Sequence, residues 1–390
     1  MKGPGGCSSR TLPSPGCRIP ALRHVLLLCA VFTTIGVVQP FLPAFLAARG
    51  LNPDEIALAL ALGSGVRLLA APMAGRWADA LDDARLLLAG LALLGLLAAG
   101  GFLVAAGLLG FLVVQLLLNA ASAPLTPLAD ALCLAAMREG RLDYGRVRAA
   151  GSVAYIAMAA FAGWLAGRAG FGVVPWLIGA AMLATLAASC ALPRPPALPE
   201  RRRGGGIRAA LRLPGFARLL LLSGLIQSSH AAYYAFGSIH WAAAGHSPGV
   251  IGLLWAEGAV GEVALFLFGR GLVARLGPRG MALLAAGAGL LRWSVLATTT
   301  WLPALAAVQV LHALSFGAQH LAAMHLILRL VPPAQAGTAQ TLHAALGVGL
   351  LMGLFTWLCG PLYAALGGGV FLPMAGLCLL AIPLALSLRT

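Results

Sequence analysis

Long apolar runs repeated along the whole chain constrain what this sequence can fold into more than any other feature. The chain has 390 residues, of which 60% are hydrophobic and only 9% are charged, and its mean hydropathy is +0.92. Soluble domains carry about 25% charged residues, and a bilayer core of about 30 Å needs about 20 apolar residues per crossing helix. The sequence therefore predicts an integral membrane protein and excludes a water-soluble enzyme.

Charged residues, prolines and glycines divide the apolar sequence into twelve runs, which predict twelve transmembrane helices. We expect an all-α fold with two pseudo-symmetric bundles of six helices. The predicted spans are residues 24–47, 56–75, 86–106, 108–135, 147–167, 173–192, 216–241, 250–269, 281–300, 304–328, 338–358 and 369–387.

Basic residues are distributed unevenly between the two ends of these spans. Of the 26 Lys and Arg residues, 22 fall in the termini and the loops of one side. Arg49 and Arg168 lie on the other side, and Arg67 and Arg292 lie within spans. Because short cytoplasmic loops concentrate Lys and Arg, we predict a multi-pass protein of the bacterial inner membrane with both termini cytoplasmic. The net charge of +15 then reflects topology, and no nucleic-acid partner is expected.

A polar stretch near the middle of the chain separates two similar halves. We predict a cytoplasmic tail (1–23), an N-terminal bundle (24–192), a cytoplasmic linker (193–214) and a C-terminal bundle (215–390). Gly75-Arg76 after the second span recurs as Gly269-Arg270 after the eighth. Repeated six-helix halves are typical of the major facilitator transporters.

Polar side chains follow one face of the first, fourth, seventh and tenth spans at intervals of three or four residues. The third, sixth and twelfth spans hold no charged or amide side chain. Since lipid tolerates polar groups poorly, we predict that the stripes line a central cavity, with hydrogen bonding between helices as the alternative. The predicted lining residues are Gln39, Gln115, Asn119, Gln227, His230, Tyr233, Tyr234, Gln309 and Gln319.

Six ionisable side chains lie within or beside the spans. Each costs about 2.5–3.5 kcal/mol at the centre of a helix, so a purely structural protein has little reason to keep them. Three arginines and three acids predict an ion-pair network that a substrate anion or a proton rearranges, with static pairs between helices as the alternative. Together with two histidines they form the predicted substrate and proton pathway: Arg67, Asp130, Arg148, Glu257, Glu262, Arg292, His312 and His320.

Sequence motifs for nucleotide-driven transport or for zinc-dependent hydrolysis are absent. The Walker A motif requires a lysine, and the only lysine is Lys2; HExxH does not occur either. We therefore expect no cofactor, no metal site and no enzymatic activity. Transport should draw on an ion gradient.

Several stretches resemble the 3-phenylpropionic acid transporter family within the major facilitator superfamily: residues 127–131, 143–152, 230–234, 292–293 and 312–324. The loop after the second span resembles the general superfamily motif at Gly75, Asp79 and Arg85, which implies a gating loop.

A more distant similarity to lactose permease, a proton symporter, implies substrate-binding roles for Asp130 and Arg148. The same similarity implies counterparts for Arg292 and His312, whereas Ser315 stands where that protein has an essential carboxylate.

We therefore predict a secondary transporter that takes up a small organic acid, for example a phenylpropionate-like aromatic acid, with protons and as a monomer. Arg148 or Arg67 could hold the carboxylate. Glu262, Glu257 or Asp130 could take up the proton, and His312 and His320 are alternative relays. The aromatic surface could come from Phe32, Tyr233, Tyr234 and Trp241. Alternatives are a proton symporter for sugars or nucleosides, a drug exporter, and a membrane scaffold that retains the fold without transporting.

Overall fold

The described residues of a computed structural model (15–81, 83–138, 142–193, 207–332 and 335–388) are almost entirely helical, and no strand occurs among them. The α-helices are α1 (Pro15–Ala48), α2 (Pro53–Ala80), α3 (Ala84–Val104), α4 (Gly107–Ser122), α5 (Leu125–Arg138), α6 (Tyr144–Ala169), α7 (Val174–Ala191), α8 (Ile207–Leu211), α9 (Phe216–Ser228), α10 (Ala231–Ala243), α11 (Pro248–Phe268), α12 (Arg270–Thr298), α13 (Leu302–Gln309), α14 (Gln319–Leu330), α15 (Ala336–Leu342), α16 (Leu351–Leu366) and α17 (Phe371–Leu386). Two π-helical segments, Ala313–Ala318 and His343–Leu350, join α13 to α14 and α15 to α16.

These helices make twelve crossings, as predicted. Ten helical stretches in the described residues are long and apolar enough to cross a membrane. One of them, Thr338–Leu386, has 49 residues and at 1.5 Å per residue would be about 70 Å long, so it must cross twice; the chain turns at Gly367–Val370. The remaining crossing is the seventh, made of α9 and α10 with a turn at Ser229 and His230.

Polar side chains in the loops set where several of the helices begin. Asn52 caps α2 with a capping box to Glu55, Asp83 caps α3, Asp143 caps α6 and Ser247 caps α11. Each cap satisfies a backbone N–H that has no partner within its own helix. The caps fix where each chain segment enters the membrane region.

Several helix limits differ from the prediction. α1 begins at Pro15, inside the predicted tail, α2 continues to Ala80, and α8 lies in the predicted linker. An apolar run marks the part of a helix that crosses lipid, and the helix itself can continue into polar sequence. Residues 1–14 of the tail and 194–206 of the linker lie outside the described residues.

Four crossings that the sequence predicts as regular helices are interrupted or contain a π-helical segment. The fourth breaks at Ala123 and Pro124 between α4 and α5, because proline lacks an N–H and clashes with the preceding turn. The seventh breaks at the turn between α9 and α10, and the tenth and eleventh contain the two π segments. Three of these four crossings, the fourth, seventh and tenth, carry polar stripes.

Helices α1–α7 form one bundle and α9–α17 form a second bundle. The bundles meet where α6 packs against α11 and α2 packs against α16. Since twelve crossings return the chain to its starting side, α1 begins and α17 ends on the same side, which we call the terminal face. The other side is the opposite face.

The two bundles bring their backbones very close together near the opposite face. A Cβ atom at Gly252 would lie 2.4 Å from the carbonyl oxygen of Ala159, and one at Gly163 would lie 2.4 Å from that of Pro248. Where α2 packs against α16, a Cβ atom at Gly360 would lie 2.8 Å from the Cβ atom of Ala57. Glycine is therefore required for the halves to close at this face.

We predict that Gly252→Val separates α6 from α11 at the opposite face, because the added side chain overlaps the Ala159 carbonyl. Spin labels at positions 168 and 246, introduced into a variant without native cysteines, should move apart in double electron–electron resonance. Gly287→Val is the matched control, since Gly287 has open space around it. An unchanged distance distribution in Gly252→Val would contradict this account of the closure.

Candidate functional site

Arg292 on α12 is fully buried and is surrounded by neutral groups. Its Nη2 donates to Oε1 of Gln309 at 2.6 Å, and its Nη1 donates to Nδ1 of His312 at 3.0 Å. Its guanidinium carbon lies 4.5 Å from the ring centroid of Tyr233 and 4.6 Å from that of Trp293. Hydrogen bonds and ring faces thus stabilise this cation, while its Nε atom has no hydrogen-bond partner.

The hydrogen bonds of this cluster fix the tautomers of two histidines. Since arginine only donates, Nδ1 of His312 must be the unprotonated nitrogen. Nδ1 of His230 lies 3.3 Å from the carbonyl oxygen of Ile226 and 3.2 Å from that of Gln227, so it carries a proton, and its Nε2 lies 3.2 Å from the Ser315 hydroxyl. His312 is therefore held as a neutral ring, and His230 is held with a proton on Nδ1.

Gln309 links the cluster to the rest of the second bundle. Its Nε2 donates to the hydroxyl of Tyr233 and to the carbonyl of Leu254, each at 3.0 Å. Tyr233 in turn stacks on Trp255 with ring centroids 4.3 Å apart. The cluster therefore joins α10, α11, α12 and α13 into one rigid unit.

Arg148 on α6 lies at the contact between the bundles and is only partly buried. Its guanidinium carbon is 4.2 Å from the ring centroid of Phe32 on α1, and its Nη1 lies 3.5 Å from the hydroxyl of Ser152. Asp130 of the same bundle lies within electrostatic range, as do Glu262 and His320 of the other bundle. Arg148 thus lies between an acid of the first bundle and an acid and a histidine of the second bundle.

Glu262 and His320 occupy neighbouring positions on the second bundle's wall. The Cγ atom of Glu262 is 3.6 Å from where a Cβ of Gly317 would be, so it packs on the π segment of the tenth crossing. His320 follows Gly317 by one turn, is exposed, and has its ring 6.4 Å from that of Phe266. Both side chains reach water-accessible space although protein surrounds them.

Tyr155 continues the wall of the first bundle, because it lies two turns beyond Arg148 on the same face of α6. Its hydroxyl lies 3.5 Å from Oε1 of Gln39, and Tyr234 of the other bundle is close enough to interact with both groups. The spacing of the α6 residues could have identified Tyr155, but the sequence analysis did not select it.

Asp130 lies on α5 beside the hydroxyl of Tyr144, and its Oδ1 atom has no hydrogen-bond partner. Arg67 on α2 is exposed although it lies deep within the protein. Glu257 on α11 is partly buried and forms no hydrogen bond or ion pair with another described residue. Arg67 and Glu257 are therefore separate from the group around Arg148.

The expected ion-pair network is not formed in this structure. The ion pairs found among the described residues, Arg85 with Asp83 and Arg146 with Asp143, lie at the terminal face. The three interior arginines contact neutral groups or meet acids only at longer range. The sequence shows three interior arginines and three interior acids, but it does not show how far apart they lie in the fold.

Six predicted lining residues are closed off from solvent in this structure, which corrects the expectation that their stripes face an open cavity. Gln115, Gln227, His230, Tyr233, Gln309 and Gln319 are all buried. Gln115 and Asn119 lie on α4 where it packs against Gly63 of α2, and the other five lie between helices of the second bundle. Helical periodicity shows which residues share a face but not which neighbour that face meets. Gln39, Asn119 and Tyr234 stay partly exposed.

Arg85 makes the interactions that hold the described part of the predicted gating loop. Arg85 binds Asp83 and donates to the carbonyl of Leu192, which ties the start of α3 to the end of α7. Gly75 lies within α2 and is partly exposed, and the side chain of Asp79 lies outside the described residues.

No group of three or more potential metal ligands occurs among the described residues.

We predict that Gln309→Leu destabilises the protein, because it leaves the buried guanidinium of Arg292 without its acceptor. Breaking a buried charged contact costs about 3 kcal/mol, so the melting temperature of the detergent-purified protein should fall by several degrees. Gln340→Leu on α15 is the control, since Gln340 is exposed. Equal melting temperatures for the two variants would refute the role assigned to Gln309.

Residues 22–372 match the MFS_1 like family. A probable 3-phenylpropionic acid transporter of Escherichia coli (strain K12) is 35% identical over 361 residues, which cover 90% of this chain and 93% of the relative. The maltose permease of Geobacillus stearothermophilus is 28% identical over 335 residues, covering 84% of this chain and 83% of the relative. The resemblance seen in the sequence motifs is thereby confirmed, and these relatives are transporters rather than enzymes.

Solved structures show the same fold. The nucleoside transporter NupG superposes with a TM-score of 0.78 at 15% identity, covering 95% of this chain and 99% of that one. A bacterial homologue of the human lysosomal transporter Spinster, in an inward-facing and unoccupied conformation, gives a TM-score of 0.74 at 14% identity, covering 96% and 97%. The chain therefore belongs to the MFS_1 like family and has the two-bundle fold of the major facilitator transporters.

Proposed function

We propose that this membrane transporter takes up a small monocarboxylic acid together with a proton. The observation that carries the proposal is the position of Arg148: it lies between the two bundles, with an acid of each half nearby, and forms no ion pair with a described residue. Its charge is therefore available to an anion that enters between the halves. Alternating access would expose this position to each side of the membrane in turn.

Arg148 is suited to hold the carboxylate. The contact of its Nη1 with Ser152 is long, at 3.5 Å, and Phe32 covers one face of its plane. The edge of the guanidinium can then donate two parallel hydrogen bonds to a carboxylate, which gives both affinity and orientation. Arg67 is the second candidate anchor, since it is exposed inside the protein.

Aromatic rings beside Arg148 favour an acid with a flat apolar tail. Phe32 lies against the guanidinium, and Tyr155 and Tyr234 lie beyond it on the two facing walls. A carboxylate on Arg148 would direct its tail among these rings, where stacking adds to the apolar contact. The 3-phenylpropionic acid in the name of the Escherichia coli relative has this chemistry.

Glu262 is the proposed proton acceptor. While it is ionised, its negative charge competes with a substrate carboxylate for Arg148, and protonation removes the competition. Binding of the acid and of the proton then favour each other, which is thermodynamic coupling. Asp130 is the second candidate, whereas His312 is held as a neutral ring by its contact with Arg292.

The proposed orientation places the terminal face in the cytoplasm of a bacterium, since the basic loops lie there. The backbones meet closely at the opposite face, and the exposed Arg67 and His320 and the partly exposed Glu262 lie further toward the terminal face. The structure would then be open to the cytoplasm. We further propose that a monomer with bundles 24–192 and 215–390, joined by linker 193–214, is the working unit.

A sugar is the second candidate substrate, because one relative is a maltose permease. Competition for uptake by unlabelled monocarboxylic acids, sugars and nucleosides separates the candidates. We expect aromatic monocarboxylates to compete and the neutral compounds not to compete. Competition by maltose alone would replace the acid with a sugar.

The proposed roles predict different defects for two variants in liposomes. Arg148→Gln should abolish both gradient-driven uptake and exchange of labelled acid, because the anchor is lost. Glu262→Gln should keep exchange but lose accumulation driven by an inward proton gradient, because the proton site is lost.

Glu257→Gln is the matched control for Glu262→Gln, since Glu257 lies on the same helix but apart from Arg148. It should accumulate the acid as the wild type does. Accumulation by Glu262→Gln at the wild-type level, or an equal defect in Glu257→Gln, would rule out Glu262 as the proton site.

A further inference from the structure

The terminal face of the second bundle carries arginines but no acidic residue. From residue 201 to the end of the sequence the only acids are Glu257 and Glu262, and both lie within α11. The described arginines of this face are Arg208, Arg212, Arg218, Arg270, Arg275, Arg279 and Arg329. At this face, therefore, no acid of their own bundle neutralises them.

The preference of cytoplasmic loops for basic residues does not explain this absence of acids. That preference depends on Lys and Arg, and Asp and Glu contribute little to it. Acids lie among the arginines of the corresponding loops of the first bundle: Asp79, Asp82, Asp83, Glu139 and Asp143. Two of these acids form ion pairs, with Arg85 and with Arg146. The loss of acids from the second bundle's terminal face therefore requires another explanation.

The loop after the eighth crossing, residues 269–279, repeats the loop after the second crossing, residues 75–85, in the same sequence register. We call residues 269–279 the cationic segment. Arg279 is the counterpart of Arg85, whereas the three acids of the first loop are replaced by Val273, Leu276 and Gly277. Arg85 is held by an ion pair, but no arginine of the cationic segment forms one with a described residue. The segment thus presents charge that the described protein does not neutralise.

One side of the cationic segment packs on the protein and the other side is exposed. Leu272 and Val273 pack against the core of the second bundle, whereas Arg270 and Arg275 are exposed. Gly277 has a φ of 60°, which glycine adopts readily, and interrupts the helix after these residues. The two arginines are therefore held on helical turns that precede the ninth crossing.

Apolar side chains are exposed directly beside these arginines. Leu253, Val260 and Leu267 are spaced two turns apart on one face of α11, and all three are exposed. Phe268, the last residue of α11, is 81% exposed, and Leu276 within the cationic segment is also exposed. On a helix that crosses a membrane, such a stripe faces hydrocarbon. Arginines at the end of the stripe therefore lie at the level of the lipid headgroups.

We propose that the cationic segment binds the headgroup of an anionic phospholipid in the leaflet at the terminal face. A guanidinium donates paired hydrogen bonds to phosphate oxygens, and basic residues beside a membrane attract anionic lipids. Phe268 and the exposed stripe of α11 contact the acyl chains of the same lipid. A soluble acidic protein would match the charge but not the apolar stripe. The proposal does not depend on the substrate or on proton coupling.

A fluorescent label at Ala274, in a variant without native cysteines, tests the site with its arginines in place. Nanodiscs contain phosphatidylglycerol or phosphatidylcholine, spin-labelled near the glycerol, at the same mole fraction. We expect phosphatidylglycerol to associate with the labelled position about tenfold more strongly, since each basic residue near an anionic surface contributes about fivefold. Ala80 has the same position in the loop 75–85 and is also exposed. A label there is the matched control and should show no preference.

Two double variants then separate a site from net charge. Arg270→Gln/Arg275→Gln should reduce the preference at Ala274 to the level seen at Ala80. Arg76→Gln/Arg146→Gln removes the same charge from the first bundle's terminal face, where both arginines are also exposed, and should keep the preference.

The proposal is overturned if wild-type Ala274 shows no preference for phosphatidylglycerol, a measurement that needs no arginine variant. It is also overturned if both double variants lose the preference equally, because net charge alone would then attract the lipid. Either result leaves the proposed uptake of a monocarboxylic acid untouched, and failure of that uptake leaves this measurement unaffected.

Discussion

The cost of holding an arginine inside a membrane protein governs how this structure is organised, and the chain meets that cost in two ways. Arg292 is enclosed by an amide, a neutral imidazole and two aromatic faces, so its charge is satisfied within one bundle. Arg148 keeps a ring face and one long contact, and its nearest acids belong to both halves. The first arrangement satisfies the charge within the protein, whereas the second leaves the guanidinium edge without an ion-pair partner among the described residues.

Twelve crossings and the division into halves were predictable because they depend on hydropathy and loop charge alone. The neighbours of each polar face were not. The stripe from Gln227 to Tyr234 meets the tenth crossing over its first turn and the first bundle at its end, so one stripe serves both packing and the cavity. Spacing gives the angle of a side chain about its own helix axis, whereas function depends on how the helix is rotated against its neighbours.

Breaks in the helices also escaped the sequence analysis, for a related reason. The π segment Ala313–Ala318 contains no proline, so nothing in its local composition separates it from an ordinary helix. Its extra residue per turn shifts the face of the helix between His312 and Gln319. This allows His312 to face Arg292 while Gln319 faces α9. Tertiary contacts choose this geometry, because they satisfy polar groups that a regular helix would direct elsewhere.

In the proposed alternating-access cycle, the two bundles would rotate against each other as rigid bodies. The Arg292 cluster joins helices of the second bundle only, so this rotation would leave its contacts intact. Groups that face each other across the bundles, Arg148 with Glu262 above all, would change their separation. The close glycine contacts would mark the state in which the opposite face is closed. A charge whose neighbours lie on both halves would therefore respond to the conformational state, and a substrate that binds it would bias that state by its differential affinity.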